Sequence, residues 1–154
     1  MNAAESASLE ATKEDFIAAF RGKFVGILQW PQLDDLWSNI MSNDPNNWYV
    51  YAIGEPVPQQ VTSASELGIF LEEINQLLHK EHHEDYCGIV YTDSKTAPQF
   101  IKIFDPNNLG VVCGFSDNPP LPGWTLSKIK PEPLEGLRTL PGNRKRWWKK
   151  LWNN

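Results

Sequence analysis

The sequence predicts an α+β domain in two layers, a mostly antiparallel sheet of four or five strands with helices on one face. Three observations predict it. Apolar residues recur at helical spacing in separate blocks of the first half. Short aromatic and β-branched runs then follow one another with only turn-forming links between them, as hairpins require. One early strand is divided from those runs by the best-marked helix, which gives the order α-α-β-α-β-β-β-β.

Residues 1–11 are small, polar and unpatterned, and read as a flexible N-terminus. Thr12 and Asp15 offer a cap and an acidic first turn, with Phe16, Ile17 and Phe20 on one face of a short helix. Pro31 suits the first turn of a second helix. Leu33, Leu36, Trp37, Ile40 and Met41 form its apolar stripe, and it ends near Asn43, ahead of Asp44-Pro45. Residues 48–53 (WYVYAI) read as the first strand. Ser63 and Glu66 make a capping box, and Leu67, Phe70, Leu71, Ile74, Leu77 and Leu78 follow at helical spacing. Strands are then expected over 86–92, 100–105, 110–115 and 124–129. These elements make residues 12–130 a single domain.

The end of the chain has a different composition. From Gly136 to Asn154 there are six basic residues, no acidic one, and Trp147, Trp148 and Trp152. The first 135 residues therefore carry a net charge of about −11 and the remainder about +6, which marks the end as a binding device. Pro131, Pro133 and Pro141 suggest that residues 131–154 are a proline linker and a basic, Trp-rich tail. In a helix, Arg144, Trp147, Trp148 and Leu151 would share a face. So short a segment is expected to stay disordered until it meets the acidic body, a partner or an anionic membrane. The body is expected to fold without it.

No catalytic site or cofactor cradle is legible, so the chain reads as a non-enzyme with no cofactor. Its glycines build neither a dinucleotide nor a P-loop motif, and no serine sits in a nucleophile elbow. The cluster His79, His82, His83, Glu84, Asp85 and Cys87 is the one place where metal could be argued. Helix-end cations that offset the macrodipole explain it more simply, so no metal is expected. Cys87 and Cys113 each lie in an apolar run and read as buried thiols. No apolar run reaches the roughly 20 residues of a membrane span, and the acidic start does not resemble a secretory signal, so a cytoplasmic location is expected.

Binding is the remaining class. Phe115, Pro120 and Trp124 lie in a rigid aromatic and proline stretch, and Tyr91 falls on a neighbouring strand; these are candidate partner anchors. Trp147 and Trp148, with Lys145 and Lys149, are the candidates in the tail. Another protein is the expected partner. A membrane surface is the alternative for a basic, indole-bearing segment, and nucleic acid is disfavoured by the acidic body.

The stretches 48–58 (WYVYAIGEPVP), 79–91 (HKEHHEDYCGIVY) and 100–124 (FIKIFDPNNLGVVCGFSDNPPLPGW), with the cationic end, resemble a small bacterial family that includes the β-carboxysome assembly chaperones of cyanobacteria. The resemblance covers about residues 46–130 and rests on texture. It implies a non-enzymatic chaperone that binds the C-terminal extension of a shell protein in a carboxysome-associated setting, and it carries no residue-level roles.

Overall fold

The protein is described by a computed structural model covering residues 12–107, 121–134 and 142–152. Helix α1 (Thr12–Phe20) leads to strand β1 (Val25–Ile27), helix α2 (Trp30–Ser42), strand β2 (Tyr49–Ala52) and helix α3 (Ala64–Glu81). Strands β3 (Val90–Thr92), β4 (Phe100–Ile103) and β5 (Trp124–Ser127) follow, and helix α4 (Gly142–Trp152) comes last. The five strands form one antiparallel sheet in the order β1-β3-β4-β5-β2. The α+β class and the antiparallel sheet agree with the sequence reading. Strand β1 is additional to it, and the expected strand over 110–115 lies outside the described residues.

Alternation along the strands separates two faces. Ile27, Val90, Ile103, Trp124 and Ala52 stand in one row across the sheet, all buried and all part of the main core with the apolar stripes of α2 and α3. Gly26, Tyr91, Lys102, Thr125 and Tyr51 make the neighbouring row, on the opposite face. Helix α1 covers part of that second face: Phe16 packs between Tyr51 and Phe100, with ring centroids 6.5 and 5.3 Å away. Helices therefore lie on both faces rather than on one, because Tyr51, Ile53 and Phe100 form a second apolar surface that α1 buries.

Local chemistry explains the two long helices. Gln32 returns its side-chain oxygen to the Gln29 N–H at 3.1 Å, and Pro31 sits in the first turn of α2. In α3 the capping box is complete: Ser63 Oγ accepts from the Glu66 N–H at 3.1 Å, and Glu66 Oε1 accepts from the Ser63 N–H at 2.9 Å. The Trp37 indole donates to Asn75 Oδ1 at 3.1 Å and ties α2 to α3. Gly88 has φ +68°, a left-handed turn that suits glycine, and its N–H reaches Ile27 O to start the β1–β3 ladder.

The expected division at residue 130 is corrected. Leu134 is buried with Phe16, Tyr51 and Phe100, and Leu151 of α4 is buried in the main core. Apolar contacts with the body therefore continue past Pro131 and Pro133.

Candidate partner-binding surfaces

Helix α4 is built onto the body from within. Arg144 is 4% exposed and grips two carboxylates at once. Its Nε and Nη2 donate to Asp105 Oδ2 and Oδ1 at 2.8 and 3.0 Å, and its Nη1 and Nη2 donate to Glu81 Oε2 and Oε1 at 2.9 and 3.0 Å. This double fork uses the planar geometry that only arginine offers. Asn107 completes it, donating its side-chain amide to Glu81 and its backbone N–H to Asp105 Oδ1. Burial works to lower the Arg144 pKa, but the hydrogen bonds and charges of Asp105 and Glu81 outweigh it and raise the value. The same hydrogen bonds hold the Glu81 carboxyl below its usual range.

Around this pin the indoles close on one phenylalanine of α3. Trp147, Trp148 and Trp152 lie 6.4, 6.3 and 6.5 Å from the Phe70 ring, and Trp147 also meets Trp124 at 5.6 Å. Of the three surfaces expected to order the tail, the acidic body is the one it meets: the amphipathic stripe of α4 packs on the chain's own core. Apolar burial supplies the stability, with Leu151 alone contributing about 1.5–3 kcal/mol. A buried ion network adds little net energy, so Arg144 chiefly sets where the helix sits.

The structure separates the sequence candidates. Trp124 is 1% exposed at the centre of the core, so it is a packing residue and not an accessible anchor. Phe115 and Pro120 lie outside the described residues. Trp147 and Trp148 are half-buried against the core, which removes them as free indoles. Lys149 is exposed, and Lys145 is half-buried. Tyr91 stays at the surface in part, meeting Phe104 edge-on at 5.6 Å.

Tyr91 belongs to a surface that composition did not reveal. Strand β1 is an outer strand of the sheet and pairs only with β3 among the described residues. Gly26, in the middle of β1, lets the Tyr91 ring lie close over the backbone: a Cβ there would meet Tyr91 Cε2 at 3.2 Å and Leu28 Cδ2 at 3.9 Å. Val25 and Leu28 flank it at 46% and 59% exposure. On the core side of β1, Ile27, Gln32, Asp35, Leu36 and Lys95 line a cleft of about 210 Å³. The run FVGIL was the available signal, masked by its shortness and its glycine. Beside it on the second face, Lys102 Nζ lies 4.1 Å from both the Phe20 and the Phe24 ring centres, and burial lowers its pKa.

The histidine cluster sits at the end of α3. The His79 ring lies 4.1 Å from that of Trp30, tilted by 31°, His82 occupies the C-cap position with its Nε2 2.8 Å from Cys87 O, and His83 is exposed. Among the described residues no three His, Cys, Asp or Glu side chains are placed to hold a metal ion. Cys87 is buried, and burial pushes its thiol pKa up; Cys113 lies outside the described residues. Compared with known proteins, the chain matches no family model, no curated protein and no solved structure.

Proposed function

We propose that this chain is a non-enzymatic binding or assembly factor that captures an extended segment of a partner protein at the β1 edge of its sheet. The observation that carries this reading is that β1 has an unpaired outer edge among the described residues and exposed apolar flanks at Val25 and Leu28. Natural edge strands are usually blunted by charge or proline, and Val25–Ile27 has neither. An added strand would gain main-chain hydrogen bonds, while its alternate side chains met Leu28 and Tyr91 on one face and the cleft beside Ile27 on the other. The resemblance to the β-carboxysome assembly chaperones supports a shell protein's C-terminal extension as that segment. It also supports a cytoplasmic, carboxysome-associated role. The alternative, an adaptor for membrane or nucleic acid, draws on free indoles, and the packing of Trp147 and Trp148 against Phe70 weakens its support. Among the described residues no helix is long and apolar enough to cross a membrane.

Titration calorimetry of the intact chain with a shell-protein C-terminal extension peptide tests this. The double variant Val25→Lys, Leu28→Lys, folded by circular dichroism, is expected to bind at least tenfold more weakly, about 1.4 kcal/mol. Equal affinity in the variant would remove β1 as the site, and silence of the intact chain would remove the shell-protein partner.

A further inference from the structure

Helix α4 has two faces of opposite use. At about 100° per residue, Arg144, Trp147, Trp148, Leu151 and Trp152 gather on one arc, which packs against the body. Lys145, Arg146, Lys149 and Lys150 gather on the other, and the last three are exposed. None of these four takes part in an ion pair among the described residues. The carboxylates that do reach the helix, Glu81 and Asp105, are both engaged by Arg144. Among the described residues the ridge is therefore cationic and without an internal counter-charge.

Helix formation alone does not favour this arrangement. Lys149 and Lys150 stand in the last turn, where the macrodipole favours cations, but Lys145 and Lys149, and again Arg146 and Lys150, are like charges four residues apart, and Lys145 ends the first turn, where cations are disfavoured. We infer that the outward face of α4 is a docking surface for a short acidic segment of a partner protein. The inference rests on the reading of the chain as a partner-binding module, but not on the β1 edge. Charge complementarity selects the occupant's sign, and the inward packing of the indoles selects its class. With Trp147 and Trp148 against Phe70, the face offers charge without an apolar wedge for lipid or free rings for base stacking. From Lys145 to Lys150 the ridge rises roughly 8 Å, so a few Asp or Glu residues span it. Arg144 and Leu151 hold the helix in place beforehand, which lowers the ordering entropy that binding must overcome.

Fluorescence anisotropy of a labelled oligoglutamate peptide on the full chain tests this, beside the triple variant Arg146→Glu, Lys149→Glu, Lys150→Glu. The intact chain is expected to bind, more weakly at about 0.15 M salt than at low salt. The triple variant is expected to lose at least tenfold in affinity, with near-UV circular dichroism and melting midpoint unchanged. The double variant Val25→Lys, Leu28→Lys is expected to bind the peptide like the intact chain, which keeps this surface distinct from the strand edge. No binding by the intact chain, equal binding by the triple variant, or loss confined to the β1 variant would overturn the inference. So would tighter capture of phosphatidylserine-containing vesicles or of a single-stranded oligonucleotide that the same triple variant abolishes. Should charge reversal unfold the chain, Lys149→Gln with Lys150→Gln makes the same distinction, with a smaller expected loss of about threefold and the same overturning results.

Discussion

Helices α3 and α4 meet at Phe70, yet they are specified in opposite ways. Helix α3 carries its own start signal, the reciprocal bonds of Ser63 and Glu66, and six buried apolar residues at helical spacing. Helix α4 has no acidic residue in its first turn and a ridge of like charges along its outer face. It is ordered by what it touches: Phe70 and Trp124 for its indoles, Asp105 and Glu81 for Arg144. A helix specified by its own sequence can be read locally, whereas one specified by its receptor surface looks like a tail.

The largest expected effect follows from removing the receptor's occupant. Truncation after residue 135 strips Leu151 and three indoles from the core, on the order of 4–6 kcal/mol. The melting midpoint should fall by about 10–20 °C. A change of a degree or two would show that α4 is peripheral and return the chain to a body with a tail.

Next in size is the pin. Arg144→Ala leaves Asp105 buried without its cation and should lower stability by about 3–5 kcal/mol in urea unfolding. Combining Arg144→Met with Asp105→Leu and Glu81→Gln should recover much of that loss, because the ion network positions the helix more than it stabilises it. Failure of the apolar combination to recover would assign Arg144 a larger energetic share than burial supports.

The pin also sets a pH dependence. Arg144 holds the Glu81 carboxyl low in the folded chain, so the unfolded chain binds that proton more tightly. The resulting stability is complete above the unfolded value of about 4.3 and is lost as pH falls through the lower folded value. Glu81→Gln should therefore show a shallower loss of stability across that acid window, and a slope equal to that of the parent chain would deny the coupling.

The smallest effect belongs to α3. Ser63→Ala should cost about 1 kcal/mol, in keeping with one lost cap on a helix that six apolar residues already anchor.

Legibility followed the range of the interactions. The cap and stripe of α3, the stripe of α2 and the runs around Tyr49–Ala52, Val90–Thr92, Phe100–Ile103 and Trp124–Ser127 are local patterns, and the sequence reading finds each of them. Strand β1 escaped it because three residues around a glycine make no pattern, and only pairing with Val90–Thr92 defines the strand. The stripe Arg144, Trp147, Trp148, Leu151 was visible, but the sequence left its destination open among the acidic body, a partner and a membrane. Glu81 and Asp105 lie 63 and 39 residues earlier, and nothing local to either announces a buried arginine. The aromatic candidates divided on burial: Trp124 and Tyr91 read alike in sequence, but the register puts Trp124 in the core row and Tyr91 on the opposite face, beside the edge strand.

Hydrogen exchange along α4 in the intact chain tests the central claim most directly, that this helix is part of the core with its cations turned outward. The amides of Trp148 to Trp152 are expected to be strongly protected, and Arg144→Ala is expected to remove much of that protection while leaving the protection of α3 in place. Exchange of those amides at the rate of an unstructured peptide in the intact chain would contradict it.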